Sequence, residues 1–147
     1  MAATLERAIQ LAAIYHAGQK DKMGKPYILH PLRVMSSLGL DVTDTHRVVA
    51  VLHDALEDTE ITAEDLYSEG FTEEQVHAIE LLTKTKDYNE DEYFRKIMNN
   101  PIARAVKIKD LEDNMDLRRI INKADLGEKD LARLKKYNKR HCQLTGT

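Results

Sequence analysis

The sequence predicts an all-α fold, a compact bundle of helices. Apolar residues recur every three or four positions through most of the chain, which is the spacing of one buried helix face. No segment alternates apolar and polar residues over the length of a strand, and there is no internal repeat or low-complexity tract. Residues 62–65 and 72–75 both have the form of a capping box, an arrangement that begins helices. Together these observations favour a single helical domain over residues 1–147.

The first two helices can be placed from local signals. A helix is predicted over residues 4–17, with Thr4 near its N-terminus. Residues 19–27 follow as a polar loop that contains three lysines. Pro31 suits the first turn of a second helix, since the N–H that proline lacks is not needed there. The second helix therefore begins beside His30.

The third helix is capped by Thr43 or Asp44 and is predicted to run without a break to about Thr59. The remaining predicted helices cover residues 63–69, 73–83, 90–98, 101–121 and 128–140. The fourth of these ends near Ile121. Residues 142–147 are polar and small, and we expect them to fray.

The composition excludes several classes of protein. Charged residues make up 32% of the chain with a net charge of −3, which gives no reason to expect a nucleic acid or an anionic membrane as partner. The single cysteine, Cys142, cannot form a disulfide within the chain, so a reducing cytoplasm is expected. No apolar stretch reaches the roughly 20 residues that span a bilayer. We expect a cytoplasmic protein with a small-molecule ligand and no obligate protein partner.

Residues 53–58 carry four side chains that can bind metal or transfer protons. On a continuous helix with His53 at zero, Glu57, Asp54 and Asp58 lie at about 40°, about 100° and about 140°. All four then share one face, while the opposite face is apolar and can be buried. Carboxylates that converge on a buried face repel one another unless a cation or protons compensate. The segment therefore predicts an internal polar pocket.

Two histidines and two aspartates are candidate metal ligands, namely His30, His53, Asp54 and Asp110. A mixed imidazole and carboxylate set suits a divalent ion such as Mn²⁺, Fe²⁺, Co²⁺, Ni²⁺ or Zn²⁺. Four protein ligands leave an octahedral ion two further positions, for a water and a phosphate oxygen. For three further histidines, His46, His77 and His141, the interpretation is an ordinary structural role.

These motifs and their order resemble those of a known family. The matching stretches are His16-Ala-Gly-Gln19, Gly24-x-Pro26-Tyr27-Ile28-x-His30-Pro31, His53-Asp54-x-x-Glu57-Asp58 and Lys107-x-x-Asp110-x-x-x-Asn114. Over about residues 3–120 the chain is similar to the HD superfamily of metal-dependent phosphohydrolases. Within it, the chain resembles the hydrolase domain of the RelA/SpoT-type guanosine tetraphosphate (ppGpp) enzymes and their small single-domain relatives. The resemblance implies an HD-type helical fold and hydrolysis of a phosphoester or phosphoanhydride.

The resemblance also implies roles for individual residues. One metal ion, usually Mn²⁺ in this branch, would be bound by His30, His53, Asp54 and Asp110. Glu57 and Asp58 match the pair that handles the attacking water, and a carboxylate one helical turn from a ligand can accept a proton from such a water. Asn114 matches an asparagine that contacts the substrate. Further phosphate, base or sugar contacts are expected from Lys20, Lys22, Tyr27, Tyr93 and Lys107.

One departure from the family concerns the substrate. Its ppGpp hydrolases usually carry Gln-x-Arg in the first loop, with the arginine packed on the guanine, whereas this chain has Gln19-Lys20-Asp21. An anion there removes the stacking cation and would repel polyphosphate unless Lys20 and Lys22 compensate. The leading hypothesis is a metal-dependent phosphohydrolase of a nucleotide, with a ppGpp-like 3′-diphosphate as one substrate. The alternatives are a 5′-nucleotidase or another small-molecule phosphatase, and a sensor that binds metal and nucleotide without turnover.

Overall fold

The computed structural model describes residues 1–119 and 126–147. This part of the chain contains nine α-helices and a short 3₁₀ turn at Leu117–Arg119, and its β-type pairing is one isolated bridge between Lys20 and Pro26. The helices are α1 (Leu5–Tyr15), α2 (Leu29–Ser37), α3 (Asp44–Leu52), α4 (Ala55–Asp58), α5 (Ala63–Glu69), α6 (Glu73–Leu81), α7 (Glu90–Met98), α8 (Pro101–Asn114) and α9 (Glu128–Thr145). The prediction of an all-α fold is confirmed. None of the helices in this part of the chain is long and apolar enough to cross a membrane.

Helix α3 lies at the centre of the bundle, in contact with α1, α2, α6 and α8. Residues 48–52 are all buried, because neighbouring helices cover this C-terminal half of α3 on every side. A helical segment that is apolar all round is typical of a protein core. The C-terminal end of α3 therefore carries His53 into the interior, where the residue is 2% exposed.

Two helices begin with the capping boxes that the sequence predicts. Thr62 and Thr72 each accept the N–H of the residue three positions later. The side chains of those residues, Asp65 and Gln75, accept the N–H of the threonine in return. Each box satisfies two N–H groups that lack a partner within the helix. Gly70 separates the two helices with a φ of +99°, and a Cβ there would overlap the N-terminal backbone, so this turn requires glycine.

The prediction of an unbroken third helix is wrong. The structure has two helices, α3 and α4, separated by His53 and Asp54. In a continuous helix the carbonyl oxygen of Ala50 would accept the N–H of Asp54. Here that oxygen accepts the backbone N–H of His53 at 3.4 Å and its ring Nδ1–H at 2.6 Å. The imidazole competes with the helical hydrogen bond, so the continuous helix from which the common face of residues 53–58 was predicted is interrupted at His53 and Asp54.

The predicted end of the helix that begins at Pro101 is also wrong. Helix α8 ends at Asn114, and the side chain of Asp116 then accepts the backbone N–H of Arg118 at 3.0 Å. Aspartate side chains that bond to the backbone two residues later favour turns over helices. Ile121, the predicted end, lies outside the described residues.

The C-terminal residues do not fray as predicted, because α9 continues to Thr145. Leu144 is fully buried, and its carbonyl oxygen accepts the Arg104 Nε–H at 2.7 Å. The guanidinium of Arg140 lies 4.6 Å from the centre of the Phe94 ring and pairs with two acidic residues of α7. These contacts with α7 and α8 hold the end of the chain as helix, although its composition is that of a solvated tail.

Candidate metal centre

Three ligand-type side chains from distant parts of the sequence meet inside the bundle. His30 lies in the first turn of α2, His53 follows the last residue of α3, and Asp110 lies in α8. The three helices contact one another, and the three residues are between 2% and 5% exposed. One ligand atom of each residue lies within 4.8 Å of the ligand atoms of the other two. We refer to His30, His53 and Asp110 as the metal group.

The ring nitrogens of the two histidines converge on one carboxylate oxygen. Asp110 Oδ1 lies 2.8 Å from His30 Nε2 and 3.3 Å from His53 Nε2. His53 Nε2 is buried and makes no hydrogen bond, whereas His53 Nδ1 donates to a backbone carbonyl. A buried polar atom without a partner costs free energy. In a neutral imidazole protonated on Nδ1, Nε2 has a free lone pair, so the arrangement fits a histidine that binds a cation.

The neighbouring carboxylates favour protonated histidines as long as no metal competes. Burial lowers the pKa of His53, but the negative charges of Asp54 and Asp110 outweigh burial and raise this pKa well above its ordinary value. Burial opposes protonation of His30 as well, and its hydrogen bonds to Asp110 and Asp113 raise its pKa overall. Histidines bind metal in the neutral form. A divalent ion would therefore replace the protons in balancing the carboxylates.

Asp54, the fourth predicted ligand, borders the metal group but is not a member of it. Its Oδ2 lies 3.1 Å from His53 Nε2 and 3.6 Å from His30 Nε2. The same oxygen accepts the hydroxyl proton of Tyr27 at 2.5 Å. Burial raises the pKa of Asp54, but the adjacent histidines, His53 foremost, lower it to about 2. Asp54 thus adds a second negative charge beside the two imidazoles.

Lys107 and Asn114, which were predicted to bind substrate, both contact Asp110. Lys107 Nζ lies 2.8 Å from Asp110 Oδ2, and Asn114 Nδ2 donates to Asp110 Oδ1 at 3.3 Å. Lys107 Nζ is also 5.5 Å from the centre of the Tyr93 ring, whose hydroxyl donates to the carbonyl of Leu82. Burial lowers the pKa of Lys107, but Asp110 outweighs burial and raises it, so the ammonium stays charged. Lys107 therefore balances part of the charge of Asp110, and Tyr93 is a core residue.

Glu57 and Asp58, the pair predicted to handle water, lie at the exposed rim and face different neighbours. Glu57 Oε1 accepts the backbone N–H of Lys84 at 2.7 Å. Asp58 Oδ2 lies 3.4 Å from the Tyr27 hydroxyl, which also bonds to Asp54. Partial burial raises the pKa of both carboxyls, and the charge of Asp54 adds to this effect. A carboxylate with a raised pKa is a better proton acceptor near neutral pH.

Curated relatives match most of this chain. A protein named probable GTP pyrophosphokinase from Mycobacterium leprae is 36% identical over 129 residues, which are 80% of this chain and 16% of that protein. A guanosine-3′,5′-bis(diphosphate) 3′-pyrophosphohydrolase from Aquifex aeolicus is 34% identical over 122 residues, 76% of this chain and 17% of that protein. The chain thus spans about one sixth of the length of these relatives. No family model matches the chain.

A solved structure shares the fold. It is described as a metazoan orthologue of SpoT that hydrolyses ppGpp, and it matches with a TM-score of 0.73 over 98% of this chain and 86% of that chain, at 22% identity. The chain is an HD-domain relative of the RelA/SpoT proteins. The fold implied by the sequence motifs is thereby confirmed.

In this RelA/SpoT relative, Asp21 stabilises its own loop. Its Oδ1 accepts the backbone N–H groups of Met23 and Lys25, both at 2.9 Å. Its Oδ2 lies 3.7 Å from Arg119 Nη2 in the 3₁₀ turn after α8. The carboxylate therefore has partners on both oxygens and is not a free anion at the rim. The two predicted phosphate contacts that flank it are exposed, namely Lys20 and Lys22.

His16 and Gln19 connect the end of α1 with the end of α4. His16 is 1% exposed, and its Nδ1 lies 2.8 Å from Gln19 Oε1. Gln19 Nε2 in turn donates to the carbonyl oxygen of Asp58 at 2.8 Å. The motif that contains these two residues therefore fixes the backbone at the end of α4.

Asp113 is a site residue that the sequence patterns did not single out. Its Oδ2 lies 2.7 Å from His30 Nδ1, the ring nitrogen that faces away from the metal group. Arg33 and Arg119 pair with the same carboxylate at 2.8 Å and 3.2 Å. Asp113 follows Asp110 by three residues, so the two share one face of α8. That spacing is the signal in the sequence that could have identified it.

Proposed function

We propose that this chain is a divalent-metal-dependent phosphohydrolase that acts on a nucleotide, with guanosine 3′,5′-bis(diphosphate) as the leading substrate. One observation carries the proposal. Two imidazoles and a carboxylate converge in the interior of the bundle, and one imidazole nitrogen there is buried without a hydrogen-bond partner. The name of the Aquifex aeolicus relative, a 3′-pyrophosphohydrolase of this nucleotide, supports the substrate.

One divalent ion, which we propose is Mn²⁺, would be held by His30, His53, Asp54 and Asp110. Two nitrogen and two oxygen donors suit a borderline or hard ion. When bound, the ion would supply positive charge to a phosphate oxygen and lower the pKa of a water molecule. Before an ion binds, the charged histidines hold the pKa of Asp54 at about 2, so this ligand is already ionised when the ion replaces their protons.

The contribution of the chain itself is proton transfer. Glu57 or Asp58 accepts a proton from the attacking water. The water oxygen forms a bond to the first phosphorus of the 3′-diphosphate. The bond between that phosphorus and the ribose 3′ oxygen breaks, and the 3′ oxygen takes up a proton as pyrophosphate leaves. The raised pKa values of both carboxyls support this role, because a base is most effective when its pKa approaches the working pH.

Side chains around the metal group would bind the nucleotide. We assign this role to Lys20, Lys22, Tyr27, Lys107 and Asn114. Lys107 and Asn114 would act beside the metal, since each contacts Asp110. Asp21 does not oppose a polyphosphate as a free anion, because its oxygens are engaged by the loop backbone and by Arg119.

The experiment is a nucleotide panel with guanosine 3′,5′-bis(diphosphate), GTP, NADPH and nucleoside monophosphates, each with Mn²⁺ or with a chelator. Wild-type protein should release pyrophosphate from the bis(diphosphate) only with metal, and Asp54→Ala should lose this activity. Asp44→Ala is the matched control, since Asp44 lies at the start of α3 and its side chain is 74% exposed. Within the described residues, Arg47 is the one charged residue that pairs with it.

The other outcomes separate the alternatives. Phosphate release from another nucleotide alone would keep the chemistry and change the substrate, as expected for a 5′-nucleotidase or a related phosphatase. Tight binding of metal and nucleotide with no product from any of them would contradict the proposal and favour a sensor.

A further inference from the structure

Asp113 is surrounded by positively charged and hydrogen-bonding side chains on the side of His30 that faces away from the metal group. Its side chain is 9% exposed, and its Oδ2 lies 2.7 Å from His30 Nδ1. Arg33 Nε lies 2.8 Å from Oδ1, and Arg119 Nη1 lies 3.2 Å from Oδ2. Two guanidinium groups thus compensate one nearly buried carboxylate, which keeps a carboxylate stable at this position.

The contact decides which nitrogen of His30 is available for a cation. A carboxylate can only accept, so His30 Nδ1 carries a hydrogen and donates it to Asp113. Nε2, which lies 2.8 Å from Asp110 Oδ1, also carries a hydrogen while the ring is protonated. When a cation replaces that proton, Nδ1 keeps its hydrogen on Asp113 and the Nε2 lone pair is free to bind the cation. Hydrogen bonds of this kind fix the tautomer and the ring orientation of histidines that bind metals.

His53 also has a hydrogen on Nδ1 and its Nε2 toward the metal group, but a backbone carbonyl accepts that hydrogen instead of a carboxylate. His53 Nδ1 donates to the backbone carbonyl of Ala50 at 2.6 Å, a contact that follows from the end of α3. His30 lies in the first turn of α2, where the preceding residues offer its ring no equivalent carbonyl in the described hydrogen bonds. The orientation of His30 therefore depends on a side chain that is 83 residues away in the sequence.

We propose that Asp113 is the positioning residue that orients His30 and fixes its tautomer for metal binding. Arg33 and Arg119 hold the carboxylate in place, and Arg119 links it to Asp21 in the loop between α1 and α2. This inference rests on the proposed function, in which His30 is a metal ligand. It adds a residue outside the ligand set to the determinants of metal affinity.

The first experiment measures the affinity for Mn²⁺ by calorimetry in wild-type protein, Asp113→Asn and Asp113→Ala. Both variants should bind Mn²⁺ about 10-fold to 100-fold more weakly, the effect typical of partners that orient metal ligands. Asp116→Asn is the matched control, because Asp116 lies three residues after Asp113, just beyond α8, and also pairs with an arginine but has no described contact with His30. Its Mn²⁺ affinity should equal that of the wild type. Circular dichroism of the metal-free proteins establishes that each variant is folded.

A second measurement distinguishes orientation of the ring from general stability. Long-range ¹H–¹⁵N spectra of the metal-free protein at alkaline pH report which ring nitrogen of His30 is protonated. Wild type should show Nδ1–H for His30, and Asp113→Ala should show a mixture of tautomers, while His53 is unchanged in both. If the alanine variant does not fold, Asp113→Asn alone carries the affinity test.

The outcomes separate this inference from the proposed function. A folded Asp113→Asn variant with the Mn²⁺ affinity and the His30 tautomer of the wild type would overturn the inference and leave the proposed function intact. A wild-type protein that binds no divalent metal would overturn both.

Discussion

The segment 53–58 and the pair of helices α5 and α6 follow each other in the chain, and their polar groups find partners in different ways. At the starts of α5 and α6, backbone N–H groups bond to side chains three residues away, at Thr62, Asp65, Thr72 and Gln75. In the metal group, His30 finds its partners Asp110 and Asp113 on another helix, and His53 Nε2 has no partner. Local sequence is thus sufficient to place α5 and α6. The metal group depends on contacts across the whole fold and leaves a place for a cation.

The largest effect should come from Asp110, which balances the metal group. Asp110→Ala leaves the buried Lys107 ammonium without its 2.8 Å partner, and loss of one member of a buried ion pair costs about 3–5 kcal/mol. We expect the free energy of unfolding without metal to fall by about that amount, and Mn²⁺ binding to be lost. Urea denaturation and a Mn²⁺ titration measure the two effects.

The control for Asp110 is an ion pair on the same helix with the same spacing. Lys109 lies 3.0 Å from Glu112, but both side chains are partly exposed, so Lys109→Ala should change stability by no more than about 0.5 kcal/mol. An equal loss of unfolding free energy in Asp110→Ala and Lys109→Ala would mean that burial does not determine the contribution of the Lys107–Asp110 pair to stability.

Removal of Glu57 should affect chemistry and leave the buried group unchanged. Glu57→Gln keeps the size and the contact with the Lys84 N–H, so we expect metal binding to persist and kcat to fall about 10²-fold, the scale of lost acid–base catalysis. Burial and the carboxylates of Asp58 and Asp54 raise the pKa of Glu57. Wild-type kcat should therefore decrease as the pH falls through this raised pKa, and the variant should lose this dependence. Full turnover in Glu57→Gln would assign the proton transfer to Asp58.

A cap variant tests the locally determined region. Thr62→Ala removes the acceptor for the Asp65 N–H and should lower the free energy of unfolding by about 1 kcal/mol, without a change in turnover. Thr43→Ala is the control, because Thr43 precedes α3 but makes no side-chain cap bond. Its effect should be a few tenths of a kcal/mol. If Thr43→Ala were the more damaging variant, α3 would depend on its start rather than on its packing.

The same contrast explains how much of the structure can be predicted from the sequence. Signals that act over three or four residues, such as the Thr62 and Thr72 boxes and the proline that opens α8, place helices within two residues of their observed starts. The break at His53 could not be predicted from helical periodicity, because it depends on one imidazole bonding to a carbonyl in the interior. Leu144 looked like part of a frayed tail because its burial depends on α8.

The site also has features that the sequence predicts and features that depend on tertiary contacts. The order of the histidines and aspartates in the sequence was enough to propose His30, His53, Asp54 and Asp110 together. It did not indicate that Asp54 would bond to Tyr27, nor that Asp21 would be occupied by its own loop, since both contacts depend on how the loop between α1 and α2 folds over the core. Residue types predict the chemistry of this site, and tertiary contacts determine which partner each carboxylate oxygen binds.

The smallest effect is expected at Asp116, which has an ion pair as short as those of the metal group but lies at the surface. Its hydrogen bonds to the side chain and backbone of Arg118 lower its pKa to about 2. A carboxyl with a lowered pKa stabilises the fold above its ordinary pKa and loses this contribution as the pH falls toward the lowered value. Asp116→Asn should therefore lower the thermal midpoint slightly at neutral pH, by less than Thr62→Ala, and the difference from wild type should vanish as the pH approaches about 2. A large loss at neutral pH would contradict the view that solvent screening makes such a pair weak, and would show that the turn after α8 contributes to holding Asp113 and the metal group in place.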